Sequence, residues 1–162
     1  MRISPIRWIN VLMFLGIQHA AAAAAPSLDA LFPPGGQVGT KVTVKAQGNL
    51  DPWPIKVWVN RTDVLVRTGS TKGELHFEIP HDAPPGTVWI RLYNNQGATN
   101  LYPFFLGRLV EQMEVEPNDS AVASQLIETG SVTINGRLEK AADVDQYSMV
   151  LQAGQTMVAS VE

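Results

Sequence analysis

Apolar and polar residues alternate one for one through much of residues 41–93, and that alternation limits the fold more than any other feature of the chain. Val42, Val44 and Ala46 alternate with Lys41, Thr43 and Lys45, and Ile55, Val57 and Val59 with Lys56, Trp58 and Asn60. Leu75, Phe77 and Ile79 alternate with His76 and Glu78, and Val88, Ile90 and Leu92 with Thr87, Trp89, Arg91 and Tyr93. Successive side chains of a strand point to opposite faces, so each run reads as a strand with one apolar face. Turn-forming residues separate the runs: Pro33-Pro34-Gly35-Gly36, Asp51-Pro52, residues 69–73, Pro84-Pro85-Gly86 and residues 94–97. Short strands at this spacing predict an all-β sandwich. A last strand over 99–106 contains Pro103, which cannot donate to a ladder, so that strand is expected at a sheet edge.

The first 25 residues do not belong to the pattern. Arg2 and Arg7 precede an apolar run over 8–17 and a stretch of alanines, the layout of a secretory signal peptide with cleavage between Ala21 and Ala25. The run is shorter than the roughly 20 residues that span a bilayer, so no membrane insertion of the mature chain is expected. The chain contains no cysteine, which excludes disulfide stapling, thiol chemistry and a lipid-modified cysteine. The location expected is periplasm, cell surface or extracellular space. Apolar content of 45% with 17% charged residues argues against wholesale disorder, and a net charge of −3 speaks against a nucleic-acid partner. Charge is unevenly placed: residues 26–107 carry seven Lys/Arg and six Asp/Glu, whereas residues 108–162 carry three and nine. The second part is the better cation binder.

LFPPGGQVGTKVTV, IPHDAPPGTVWIRLYN and NQGATNLYPFFL follow one another across about residues 28–107. Together they resemble an IPT/TIG domain, an immunoglobulin-like fold with a Pro–Gly opening, a Pro-Gly turn before a strong strand, and a closing Thr-Asn and Phe. The resemblance places the strands at 55–59 and 87–93 side by side, with 99–106 next to the latter. Alternation points Phe104 and Leu106 inward and Trp58, Trp89 and Phe105 outward. These three aromatics then share one exposed sheet face with Arg91, and the four are the candidate ligand or interface residues. Large exposed aromatics suit recognition of an extracellular protein or polysaccharide, and they suit packing against a neighbouring domain equally well.

Residues 108–113 read as a linker. Then comes Glu114-Val-Glu-Pro-Asn-Asp-Ser120, and SAVASQLI at 120–127 reads as one or two helical turns. Strands are expected over 131–137, 145–151 and 155–161. Glu114–Ser120, Ile134–Gly136, Asp143-Val-Asp145-Gln-Tyr147 and Ala153-Gly154-Gln155 occur in the order that resembles a bacterial pre-peptidase C-terminal (PPC) domain, a jelly-roll-like sandwich. Two departures are that Ala142 stands where a Gly is usual, and that an aromatic before Tyr147 is missing. A complete PPC sandwich has several more strands than residues 114–162 supply, so a longer exported protein or a completing partner is expected.

Calcium takes six to eight hard oxygen ligands. Glu114, Glu116, Asn118, Asp119, Asp143 and Asp145 offer that ligand type from two segments, and the matching segments of collagen-binding relatives of PPC domains hold calcium. By resemblance these six are the candidate metal site. Zinc fits poorly, with no cysteine and no nearby histidine. The alternative is structural: Asn118 or Ser120 caps a helix whose N-terminus the acids favour.

No catalytic constellation is visible. His76 and His81 are the histidines of the mature chain, and there is no G-x-S-x-G elbow or H-E-x-x-H. The expectation is a non-catalytic, exported tandem of β-sandwich modules for interaction or spacing. The alternatives are an accessory region of an exported peptidase or other hydrolase, and a carbohydrate-binding module.

Overall fold

The structure is a computed structural model that describes residues 24–128 and 130–161. The signal-peptide reading falls almost entirely outside the described residues. The strands are β1 (Ala30–Phe32), β2 (Gly35–Gln37), β3 (Lys41–Gln47), β4 (Lys56–Val59), β5 (Leu65–Thr68), β6 (Glu74–Glu78), β7 (Gly86–Asn94), β8 (Gly97–Ala98), β9 (Tyr102–Gly107), β10 (Val110–Met113), β11 (Gln125–Ile127), β12 (Val132–Asn135) and β13 (Tyr147–Met149). No helix occurs among the described residues, and the fold is all-β.

The first nine strands make a two-sheet sandwich. One sheet has the order β1-β3-β6-β5, and the other the order β2-β9-β7-β4 with β8 hairpinned onto β7. The expected neighbours are therefore neighbours: β4 pairs with β7, and β7 with β9, all antiparallel. Inward positions of the alternation fill the space between the sheets. Val44, Leu75, Phe77, Val88, Ile90, Leu92 and Phe104 are fully buried, and Phe77 stacks on Phe104 with ring centroids 4.1 Å apart. Each buried aliphatic or aromatic side chain contributes about 1.5–3 kcal/mol relative to exposure, so this core is what holds the unit together.

Two expectations about this unit are corrected. Pro33 and Pro34 lead not into a plain turn but into β2, whose Gly35 and Gly36 run parallel to Phe105 and Leu106. Glycine is required there: a side chain on Gly35 would meet the Phe105 carbonyl oxygen at 2.5 Å. As a result β9 is not an edge strand. It has β7 on one side and β2 on the other. Pro103 is tolerated because β2 begins only opposite Phe105, whose N–H donates to the Pro34 carbonyl at 3.0 Å. The N atoms of Pro103 and Phe105 face the same side of the strand, and beyond β2 no ladder needs a donor. The Thr99-Asn100 pair also has a physical role. Buried Thr99 exchanges bonds with Leu92, its N–H donating to the Leu92 carbonyl and its hydroxyl accepting from the Leu92 N–H.

The second unit is built differently. β10 pairs in parallel with β12, and β11 in parallel with β13. Residues 108–113, read as a linker, thus contain a paired strand. Residues 120–127 are not helical: a single turn, closed by the Ala123 N–H on the Ser120 carbonyl at 2.9 Å, leads into β11. The expected strand at 145–151 shortens to Tyr147–Met149, and residues 155–161 are exposed and form no strand. Contacts between the units include Gln37 Nε2, which donates to the Arg108 carbonyl at 3.1 Å, and the Arg137 guanidinium, which lies 5.2 Å from the Phe32 ring centroid.

Candidate functional site

Two arrangements carry the sequence's candidate residues, one on each unit. On the first, strand register sets the outward face of the sheet. Lys56 lies opposite Tyr93, Trp58 opposite Arg91, Trp89 opposite Pro103 and Thr87 opposite Phe105. Trp58, Trp89, Arg91 and Phe105 therefore share one face, as alternation predicts. Trp58 is 47% exposed and Trp89 42%. Phe105 is only half-buried, because it sits in an interior strand between Thr87 and Gly35. The structure adds Tyr93 and Leu101, both exposed, beside an open groove of about 510 Å³ that Trp58, Arg91, Tyr93, Asn94 and Leu101 help to line. Tyr93 was legible from the same alternation as Trp89. Leu101 lies outside any strand and had no such signal. Arg91 occupies the middle of the aromatics, and its Nε is buried without an acceptor. Lys56 Nζ lies 5.9 Å from the Tyr93 ring centroid.

On the second unit, one carboxylate oxygen each from Glu114, Glu116 and Asp145 lies within 4.8 Å of the others. Asn118 is wedged among them, completely buried. Its N–H donates to Glu116 Oε2 at 2.9 Å, its Nδ2 donates to Glu114 Oε1 at 2.8 Å, and its carbonyl accepts from the Gln146 N–H at 3.0 Å. Its Oδ1 is buried with no partner, as is Asp145 Oδ1. Glu114 also accepts from the Tyr147 hydroxyl at 2.9 Å and, through Oε2, from the Arg137 N–H at 2.7 Å. Gly136 makes room for this packing: a side chain there would meet the Tyr147 hydroxyl at 2.8 Å and Glu114 Oε2 at 3.2 Å.

Asp119 and Asp143 lie next to this triad and form a separate pair. Lys140 bridges them at 3.4 and 3.5 Å, and Asp143 Oδ2 accepts from the Glu139 N–H at 2.6 Å. The six expected ligands are therefore divided into a core of Glu114, Glu116, Asn118 and Asp145 and a neighbouring pair already matched to a cation. The helix-cap reading of Asn118 or Ser120 is overturned, since only one turn follows.

The electrostatics reflect crowding of like charges. Burial, and then the charge of Glu114 and a hydrogen bond with it, push the Asp145 carboxyl above its ordinary range. Burial alone would raise Glu114 too, but hydrogen bonds from the Arg137 N–H, Asn118, Tyr147 and Asp145 outweigh it and hold Glu114 low. Burial, and then Glu114, raise the Tyr147 hydroxyl well above its ordinary value. A cation between the carboxylates would relieve the repulsion, and the donor set fits calcium: three carboxylates and an amide oxygen, all hard oxygens, with bidentate binding and water able to complete the shell.

Compared with known proteins, the chain matches no family model and no curated protein. Among solved structures it is similar to SGBP-B from a complex xyloglucan utilization locus in Bacteroides uniformis, at 27% identity over 51% of this chain, with a TM-score of 0.33. It spans 23% of that protein's length. It is also similar to a chimeric titin Z1Z2 carrying a peptide from decorin, at 14% identity, covering 51% of this chain and 86% of that one, with a TM-score of 0.28. A third similarity is to titin domains z1z2 in complex with telethonin, at 15% identity over 56% of this chain and 53% of that one, with a TM-score of 0.29.

Proposed function

We propose that the chain is a non-catalytic, exported polysaccharide-binding module in which the outward face of the five-stranded sheet takes the ligand and calcium orders the second unit. The observation that carries the reading is the exposure of Trp58 and Trp89, with Tyr93, on one rigid sheet face. A sheet presents aromatics at fixed spacing with little entropy to lose on binding, and two tryptophans exposed side by side gain little by facing water. Export rests on the residue pattern of the first 25 positions.

The calcium part rests on buried Asn118, whose Oδ1 has no donor although every other polar group of that residue is satisfied. A buried oxygen left without a donor is costly, and a cation beside it would satisfy it. When bound, calcium would supply charge neutralisation; Glu114, Glu116, Asn118 and Asp145 would hold it. The PPC-like reading of this unit draws support from the tight packing at Gly136 and from Ala142, which has φ of 63° at the position where the family usually has Gly. The IPT/TIG-like reading of the first unit draws support from the Thr99–Leu92 exchange.

A glycan array and affinity electrophoresis in polysaccharide gels test the binding reading. Retardation by at least one polysaccharide, lost in Trp58→Ala and Trp89→Ala variants of unchanged melting temperature, is expected. A folded chain that no polysaccharide retards would refute it.

A further inference from the structure

We infer that the ligand of the aromatic face is an acidic polysaccharide, a chain bearing uronate carboxylates, with sugar rings on Trp58 and Trp89 and a carboxylate seated on Arg91. This rests on the polysaccharide-binding reading and adds the charge of the ligand.

Charge complementarity points to an acidic ligand. The outward positions of β4, β7 and β9 are Lys56, Trp58, Thr87, Trp89, Arg91, Tyr93, Pro103 and Phe105: two cations and no acid. Elsewhere on the first unit four of the five cations are matched, the exception being exposed Lys45 on β3 of the other sheet. Lys41 and Arg67 pair with Glu78, Arg61 with Asp63, and Lys72 with Asp51. Among the described residues neither Lys56 nor Arg91 forms an ion pair. Asp51, whose backbone carbonyl accepts from groove-lining Asn94 at 3.1 Å, has its carboxylate engaged by Lys72 at 2.7 Å.

Arg91 is the sharper of the two observations. A half-buried guanidinium with a buried Nε and no acceptor is an unmet hydrogen-bonding demand at the centre of the face. A guanidinium presents paired N–H groups in a planar fork that matches a carboxylate, and the bonds formed are charge-assisted. Trp58 lies directly across from Arg91, and Trp89 two positions along the same strand, so the two indoles are diagonal neighbours, about 7–8 Å apart at the side-chain base. That spacing spans adjoining rings of an extended glycan, and it puts Arg91 at the edge of both. A neutral glycan would use the indoles and leave both positive charges unanswered.

Titration of the full chain with polygalacturonate and with a neutral mixed-linkage β-glucan separates the possibilities. Tighter binding to polygalacturonate is expected, weakened by raising salt because the contact is ionic. Arg91→Gln should weaken it about tenfold or more, with part of the loss restored in Arg91→Lys. Lys56→Gln, at an exposed position that the fold does not need, should weaken it by a smaller factor and guards against misfolding of the Arg91 variants. Equal or tighter binding to the neutral glucan, unaffected by Arg91→Gln, Lys56→Gln or salt, would overturn the acidic assignment and leave the polysaccharide reading standing. Binding to neither polymer, nor to any on the array, would overturn both.

Discussion

The two units are held together by opposite means. Among the described residues, the sixteen buried hydrophobic side chains of the core all fall between Leu28 and Leu106. In residues 108–161 the buried residues are Asn118 and Asn135, while Leu126, Val144 and Leu151 remain about half exposed. The first unit closes two sheets over a hydrophobic core. The second ties short parallel ladders together through side-chain amides and carboxylates: Asn118 on Glu114, Asn135 on Glu111 at 2.6 Å, and Tyr147 on Glu114. A core of the first kind needs nothing from solution. A crowd of carboxylates, half-buried at Glu114 and Asp145 and exposed at Glu116, stabilises best when its charge is answered. On the proposed reading, cation dependence falls in the second unit and ligand binding on the first.

The contrast can be broken most directly in the core. Phe77→Ala, which removes the ring stacked on Phe104, should destabilise the first unit by about 3–5 kcal/mol. Leu126→Ala in the second should change stability by no more than about 0.5 kcal/mol. Comparable losses in urea denaturation would show that the units do not differ in this way.

Calcium sharpens the comparison from the other side. At about 100 times its dissociation constant it should stabilise by about 2.7 kcal/mol. The effect should appear as slowed amide exchange in residues 110–149 and leave residues 30–107 unchanged. Glu116→Gln combined with Asp145→Asn should abolish it. Protection spread evenly over both units, or none on moving from chelator to calcium, would count against the site.

Backbone strain offers a smaller effect. Ala142 holds a left-handed conformation that costs a residue with a side chain about 1–2 kcal/mol, so Ala142→Gly should raise the stability of the second unit by up to about 1 kcal/mol. The reverse change at Gly39, where φ is 83° and a side chain would strike His81, should destabilise the first. Thermal melts of the two variants should move in opposite directions.

The smallest effect is a surface ion pair. Hydrogen bonds from Arg61, the largest cause, hold the Asp63 carboxyl below its ordinary value. A carboxylate whose pKa falls on folding stabilises the folded state above its unfolded pKa, and that contribution disappears as pH drops through the folded one. Asp63 is partly exposed, so Asp63→Asn should cost only about 0.2–1 kcal/mol at neutral pH. The difference between variant and parent should shrink as pH falls through the lowered folded-state pKa of Asp63 and vanish below it. A difference that persists there would assign the effect to packing rather than charge.

Much of the first unit was legible because a half-buried strand writes its two faces into alternate residues. That rule named the core and placed Trp58, Trp89 and Arg91 on one outward face. It could not see β2, since Gly35 and Gly36 carry no side chains to alternate, and without β2 the position of β9 in its sheet was misjudged. In the second unit the same rule had little to read. Alternation weakens where neither face is buried, so the sequence predicts helical turns over 120–127 and a strand over 155–161, and the structure has neither. The acidic residues were found by type alone. Their division into a core of four and a pair neutralised by Lys140 depends on where the loops meet.

The sequence by itself determined which residues could be strands, which faces were apolar, and that oxygen ligands were gathered in the second part, because those properties follow from side-chain type and spacing. Only the tertiary structure decided that Asn118 is buried with an unsatisfied oxygen, that Phe105 is half covered, and that Arg91 stands among aromatics with no partner. Burial and pairing arise between segments distant in the chain, and spacing within one segment carries no record of them.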